Sequence, residues 1–524
     1  MPSSVQTEES VSKPPSHASH RVYKNAAALG FGQIANTVGN LLLVPLFLSY
    51  WPKEVYGEWI ALSALVAYFS TADMGMNMAC ANALIKAYQM RNWEQYRETQ
   101  ASALVFYIGM ACALTALAAA ACVFLPIPRW LGVSHIPSVS ASIVICLLAA
   151  RILWQMPAGQ IWNIFRTTGD MAISQWIVNL QTMGTIAVTA IMLYLGSRVT
   201  ALAAWTCLPL LVCAPISWLL VRRSHKELLP HLRAASMLGV KILVKPSFLF
   251  ALIMIAMAIS LNGPVIIVAR VLGGAAVALL VTTRTLANVA RQIPNMLCWA
   301  LWPELTRLDA IGAKLAMRTA HSLLVGAYMA ISIAFVGALW FDGPDVITFW
   351  TRGHLSVQPW LVRAFLLYVL CQAPWMASSV VATATNRHRR LAWCQVLAGL
   401  AAIVLILVFL PRLGLIAVPL SLLAGEALAC YHFVIADACE IAGESYQQFA
   451  VRTWSALALV AALTLAVGAI AHHLPIVFVP LRIGIGGVIA AATAAIGVWF
   501  VFLPKSDRLV ITGRFSRSTL GRVH

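Results

Sequence analysis

Charge is what this sequence has least of. Only 10% of its 524 residues are Asp, Glu, Lys or Arg, and just 18 are acidic, whereas a soluble domain carries about 25% charged residues. With 61% hydrophobic residues and a mean hydropathy of +0.83, the chain has too little polar surface to cover a water-soluble fold. Other features are also missing. There is no CxxC pair, and the eleven cysteines sit singly in apolar segments, as small hydrophobic filler does. The histidines show no ligand spacing; His472 and His473 adjoin each other beside Pro475, which suits a loop better than a zinc site. No G-x-x-x-x-G-K-[ST] motif occurs, which excludes a built-in ATPase of that kind.

What is present is a series of apolar stretches of about 20 residues, each long enough at roughly 1.5 Å per residue to cross a hydrocarbon core of about 30 Å. They predict an all-α polytopic membrane protein with about fourteen transmembrane helices, near residues 24–49, 58–86, 98–124, 139–164, 172–196, 200–222, 243–269, 275–303, 317–340, 359–385, 390–410, 413–436, 452–472 and 481–503. Of the 36 Lys and Arg, 25 fall on the side that holds both termini, eight on the other, and three inside spans. The positive-inside bias therefore predicts cytoplasmic termini. The net charge of +18 and pI of 9.7 express this bias and do not point to nucleic acid. The longest connection on the outer side, about 341–358, is too short for the catalytic domain of a membrane glycan polymerase or ligase.

The expected organisation is a disordered tail (1–20), a first six-helix lobe (21–223), a cytoplasmic amphipathic linker (224–245), a second lobe (246–436), two added helices (437–503) and a basic tail (504–524). The linker mixes bases with Leu228, Leu229, Leu232, Met237 and Leu238, as a helix lying on the inner leaflet would. An internal echo supports the two lobes: the stretch after Asn40 resembles the stretch after Asn262, each late in the first helix of its unit.

Ionisable groups at bilayer depth cost at least about 2.5 kcal/mol each, so they mark cavities, partners or substrates. Arg284, Asn288, Arg291 and Asn295 in span 8 are spaced four, three and four apart and share one helix face. Arg151 lies near the middle of span 4 with Gln155 one turn on; its alternative role is an ion pair with Asp73 or Glu426. Span 1 carries Gln33, Asn36, Thr37 and Asn40 along one face, and span 5 carries Gln175, Asn179 and Thr182. Helix-helix hydrogen bonding explains such amides as well as cavity lining does. In span 2 the run Ser70–Gly75 interrupts the apolar pattern and restarts it, so Asp73 is either a helix cap or a proton or sodium site. Glu426 in span 12 is the second ion-coupling candidate. Three intramembrane arginines favour an anionic substrate, and guanidinium forks match phosphate oxygens bidentately. No cofactor or metal is expected.

The N-terminal hundred residues resemble the polysaccharide flippases of the multidrug/oligosaccharidyl-lipid/polysaccharide exporter superfamily, through Lys24-Asn25, Pro45, Tyr56-Gly57-x-Trp59 and Asp73-x-Gly75. The resemblance implies a V-shaped pair of six-helix lobes in the bacterial inner membrane. Such a protein passes an undecaprenyl-pyrophosphate-linked oligosaccharide to the periplasmic leaflet by alternating access, driven by a proton or sodium gradient. It would serve exopolysaccharide, capsule or O-antigen synthesis, with membrane lipids, a polysaccharide polymerase and a chain-length regulator as partners. A lipid II flippase and a multidrug cation antiporter of the same superfamily are the rival expectations. Asn262 departs from the acidic residue expected there in many relatives.

Overall fold

The computed structural model describes residues 16–511 apart from 74, 386 and 474–478. The far ends of both expected tails, and Pro475, lie outside the described residues. No strand occurs among the described residues. The helices are α1 (Ser16–Tyr50), α2 (Lys53–Ala67), α3 (Met76–Gln89), α4 (Trp93–Phe124), α5 (Ile127–Trp130), α6 (Ser138–Thr167), α7 (Met171–Tyr194), α8 (Val199–Trp205), α9 (Leu208–Ser224) and α10 (Met237–Leu272) in the first part of the chain. They continue with α11 (Gly274–Ala310), α12 (Lys314–Leu339), α13 (Gly343–Trp350), α14 (Pro359–Ala384), α15 (Arg389–Leu413), α16 (Ala417–Ala429), α17 (Phe433–Ala442), α18 (Tyr446–His472), α19 (Val479–Gly497) and α20 (Lys505–Ile511).

Eleven stretches among the described residues are long and apolar enough to cross a membrane, and one of them, Arg389–Ala429, covers two expected spans. Span 2 is broken into α2, a 3-10 turn over Tyr68–Asp73, and α3. Gly75 makes the break possible: it caps α3 with φ +68°, a left-handed value that costs glycine nothing. Span 8 is α11, whose polar stripe lowers its hydropathy.

Two expectations are corrected. The linker is not one amphipathic helix. It makes two 3-10 turns, Lys226–Leu228 and Leu232–Ala234, because Pro230 between them cannot continue a helix. Leu228, 2% exposed, enters the apolar core of the N-terminal helices. Ser236 then starts α10 by accepting the Gly239 N–H at 2.9 Å, while its own N–H donates to Ser102 Oγ on α4. Span 12 ends early as well: α16 stops at Ala429, and α17 is a separate short helix.

The helix contacts repeat between the two parts of the chain. α1 packs on α7 as α10 packs on α15, α4 on α6 as α12 on α14, and α7 on α9 as α15 on α16. The two bundles meet where α2 runs against α11 and α10. At the face away from the termini this meeting is backbone to backbone: a Cβ on Gly57 would collide with the Gly274 carbonyl. Glu58 beside it is buried, and its carboxylate accepts the N–H groups of Ser134, His135 and Ile136 at 2.8 Å each. The loop before α6 is thereby tied to α2. Helices α18 and α19 pair and lie against α12.

Candidate functional site

Between the bundles, α1, α2 and α11 enclose a cleft of about 330 Å³, with Thr37, Asn40, Ser63, Thr285, Asn288 and Gln292 among its polar lining. Helical spacing explains the lining: Val281, Thr285, Asn288 and Gln292 recur every three or four residues on one face of α11. Thr37 Oγ1 donates to Gln292 Oε1 across the cleft. Asn40, exposed toward it, donates to Asn36 one turn back at 3.4 Å. Gln33 and Asn36 are exposed on the same helix.

The stripe on α11 does not open as one surface into this cleft. Asn288 borders the cleft, while both arginines turn from that edge toward the C-terminal bundle. Arg284 Nη1 donates to the Leu261 carbonyl of α10 at 2.5 Å, a solvent-exposed bond. A carbonyl carries no net charge, and no acid among the described residues forms an ion pair with this guanidinium. Residue 262, where an acid would stand close by, is the neutral Asn262. Arg291 is different. Its Nη2 donates to Asn288 Oδ1 at 2.5 Å, and its Nη1 to Gln372 Oε1 at 2.7 Å. The amide of Gln372 in turn donates to Glu426 Oε1 at 2.5 Å, where the Tyr368 hydroxyl also donates at 2.8 Å. Trp375 Nε1 donates to Glu426 Oε2 at 3.0 Å. Two residues that the sequence placed in separate roles, Arg291 for cargo and Glu426 for ion coupling, thus belong to one hydrogen-bonded chain. Asn295 accepts from the Tyr328 hydroxyl at 3.1 Å.

Arg151 stands apart from this network. It sits on α6 beside Cys207 at the start of α9, which is its electrostatic neighbour. The expected alternative, an ion pair with Asp73 or Glu426, is not formed, because both carboxylates take other donors. Gln155 lies half-buried one turn further along α6. Asp73 accepts the Tyr107 hydroxyl at 2.5 Å and lies just before α3, near the backbone N–H groups of Gly75 and Asn77. That is the position from which a carboxylate would act as a cap for α3. Beneath it, Asn77 Oδ1 accepts from Gln160 and Asn163 at 3.1 and 2.6 Å.

Sequence reasoning passed over Tyr368, Gln372 and Trp375. Their spacing of four and three is the same one-face signal that singled out α11, but without a charge in the stripe it did not stand out. It also missed a tertiary cluster at the terminal-side face. There Glu444, nearly sealed, lies 2.9 Å from His321 Nδ1, 3.4 Å from Arg318 and 4.0 Å from Arg452. His321, Cys439 and Glu444 also come close enough together to be a candidate metal set, a grouping that sequence spacing does not show. Both ring nitrogens of His321 are nevertheless engaged, by Glu444 and by Ser378 Oγ, and two guanidinium groups oppose a further cation. At the other end, Asp342 lies 2.8 Å from both His472 and Arg482, joining the turn before α13 to α18 and α19.

Among solved structures, the chain is similar to an inward-facing multidrug resistance MATE family transporter of the MOP superfamily (TM-score 0.67, 15% identity, 77% of this chain and 95% of that one). It is equally similar to the lipid II flippase MurJ in an inward closed conformation (TM-score 0.67, 14% identity, 90% and 98%). A MATE transporter in complex with MaD3S matches at TM-score 0.59 and 16% identity, over 81% and 96%. No protein-family model matches the chain, and no curated protein matches it. At these identities the likeness concerns the fold: this is the all-helical architecture of the MATE and MurJ transporters.

Proposed function

We propose that this protein is an alternating-access flippase, moving an undecaprenyl-pyrophosphate-linked oligosaccharide repeat unit from the leaflet at its terminal-side face to the opposite leaflet. The reading places it in a bacterial inner membrane with both termini in the cytoplasm, supplying surface polysaccharide synthesis. The observation that carries it is Arg284, a guanidinium at bilayer depth whose hydrogen-bonded partner is a backbone carbonyl. Neighbours of Arg284 on the same helix line the cleft between the bundles. A permanent cation without an acid partner is unstable in hydrocarbon unless an anion or water reaches it, and a pyrophosphate supplies the matching geometry. The glycan would occupy the aqueous cleft while the polyprenyl tail stays in lipid against the apolar pair α18 and α19. Rocking of the two bundles about the α2–α11 contact then changes which face is open.

The test is glycan export in cells. Arg284→Ala combined with Arg291→Ala is expected to abolish export with the protein still inserted at wild-type levels. Export at wild-type rates in that variant would remove the cargo assignment. Multidrug cation export is the second reading, favoured by the carboxylate of Glu426 inside the C-terminal bundle and by the MATE-like fold. Under that reading Glu426→Gln, and not the arginine pair, abolishes transport, and the measured cargo is an organic cation.

A further inference from the structure

Arg291 and Glu426 are joined end to end through one amide, and the arrangement defines what happens when an anion arrives. Gln372 turns its oxygen to Arg291 and its nitrogen to Glu426. Every group hydrogen-bonded to the carboxylate is a donor: a phenol O–H, an amide N–H and an indole N–H. That shell suits a carboxylate and not a sodium ion, which needs lone pairs where these groups present hydrogens. Among the described residues, the other titratable groups near Glu426 are the phenols Tyr328 and Tyr431 and the thiols Cys371 and Cys430, all uncharged in their ordinary state. The charges around it are therefore Arg291 and, beyond it, Arg284. Glu426 thus faces Arg291 across the Gln372 amide, and Arg291 is the nearest cation in its network.

Resting on the flippase reading, we propose that anionic cargo and a proton bind to this one network together. When the pyrophosphate takes Arg291, Glu426 loses its nearest cation, and a buried carboxylate without a partner is neutralised by protonation. The balance is simple. One proton passes from water to a Glu426 oxygen, no bond in the cargo breaks, and the positive charge of the proton offsets one negative charge of the cargo. Gln372, released by Arg291, can turn its amide so that Oε1 accepts the new Glu426 O–H. When the cargo leaves on the other side, Arg291 returns and Glu426 gives up its proton there; cargo and proton move outward together, so an inward proton gradient opposes this step and does not drive it.

The experiment measures proton uptake on binding. Purified protein in lipid nanodiscs is titrated with farnesyl pyrophosphate by calorimetry, in buffers of different protonation enthalpy and over a range of pH. The wild type is expected to take up about one more proton per bound probe than Glu426→Gln. Its affinity should fall with rising pH by up to about tenfold per unit more steeply than that of the variant. The comparison removes the titration of the probe itself, which is common to both. Equal proton uptake in wild type and Glu426→Gln would overturn the coupling while leaving the cargo reading intact. Failure of the probe to bind, or binding that ignores Arg284→Ala with Arg291→Ala, would instead sink the cargo reading.

Discussion

In the N-terminal bundle the buried apolar side chains form two separate clusters, one toward each face, whereas in the C-terminal bundle they form one continuous core. The contact plan of the helices is the same in both, so the difference comes from what interrupts it. Span 2 breaks at Tyr68–Gly75, and at that depth the first bundle carries Asp73, Tyr107, Asn77, Gln160 and Asn163 in a hydrogen-bonded group. The C-terminal bundle has an unbroken α11 in the equivalent place and wraps its polar groups around Arg291 and Glu426. Exposure follows the same division. In the most apolar stretches of α4 and α6, 28% and 33% of residues are buried, against 61% and 78% for their counterparts α12 and α14. α19 covers α12, and α14 is enclosed by α11, α12, α16 and α17. A repeat can thus keep its topology while one copy becomes a more deeply buried, charged core and the other offers more surface to lipid.

This contrast can be broken at defined positions. The largest effect is expected from Glu444→Ala. Two guanidinium groups and His321 would lose the buried carboxylate they share, and removing one partner of a buried pair costs about 3–5 kcal/mol. Thermal unfolding in detergent should show a marked loss of stability, and an unchanged midpoint would mean that the cluster is wet. Next comes Gly57→Val, which forces a side chain into the Gly274 backbone and should cost about 1–3 kcal/mol as overpacking does. Since the strain lies between the bundles, a cysteine at Ser63 in the cleft should label faster from the face away from the termini. Unaltered labelling would show that the contact is no gate.

Asp73→Ala should cost about 0.5–2 kcal/mol, the usual range for loss of a helix cap, and Asp73→Asn less. Export by Asp73→Asn should keep its dependence on the ion gradient, because the carboxylate acts on α3; loss of that dependence would restore Asp73 as a coupling site. The smallest stability change is expected at Arg151→Met, since no acid is orphaned by it. The unfolding midpoint should stay or rise while export falls, and undiminished export would take Arg151 out of the cargo path.

Much of the fold was legible because hydrocarbon allows few answers. A chain that is apolar at intervals of about 20 residues must satisfy its backbone within helices, so the spans, the break at Ser70–Gly75 and the apolar terminal pair could be read directly. Pro230 also announced the broken linker, although the surrounding leucines drew attention to amphipathicity instead. The stripe of Arg284, Asn288, Arg291 and Asn295 was visible as spacing. Its partners were not, because Leu261, Gln372 and Glu426 lie on other helices and their approach depends on how α10, α14 and α16 pack.

The sequence by itself therefore determined that this is a helical membrane protein with a repeated plan and cations held at bilayer depth, since length, hydropathy and helical period are local properties. Only the tertiary structure decided that Arg284 meets a carbonyl, that Arg291 is linked to Glu426, that Asp73 meets the Tyr107 hydroxyl, and that Glu444 gathers His321 and two arginines. Each of these is a distance between residues remote in the chain, fixed by packing that no single helix encodes.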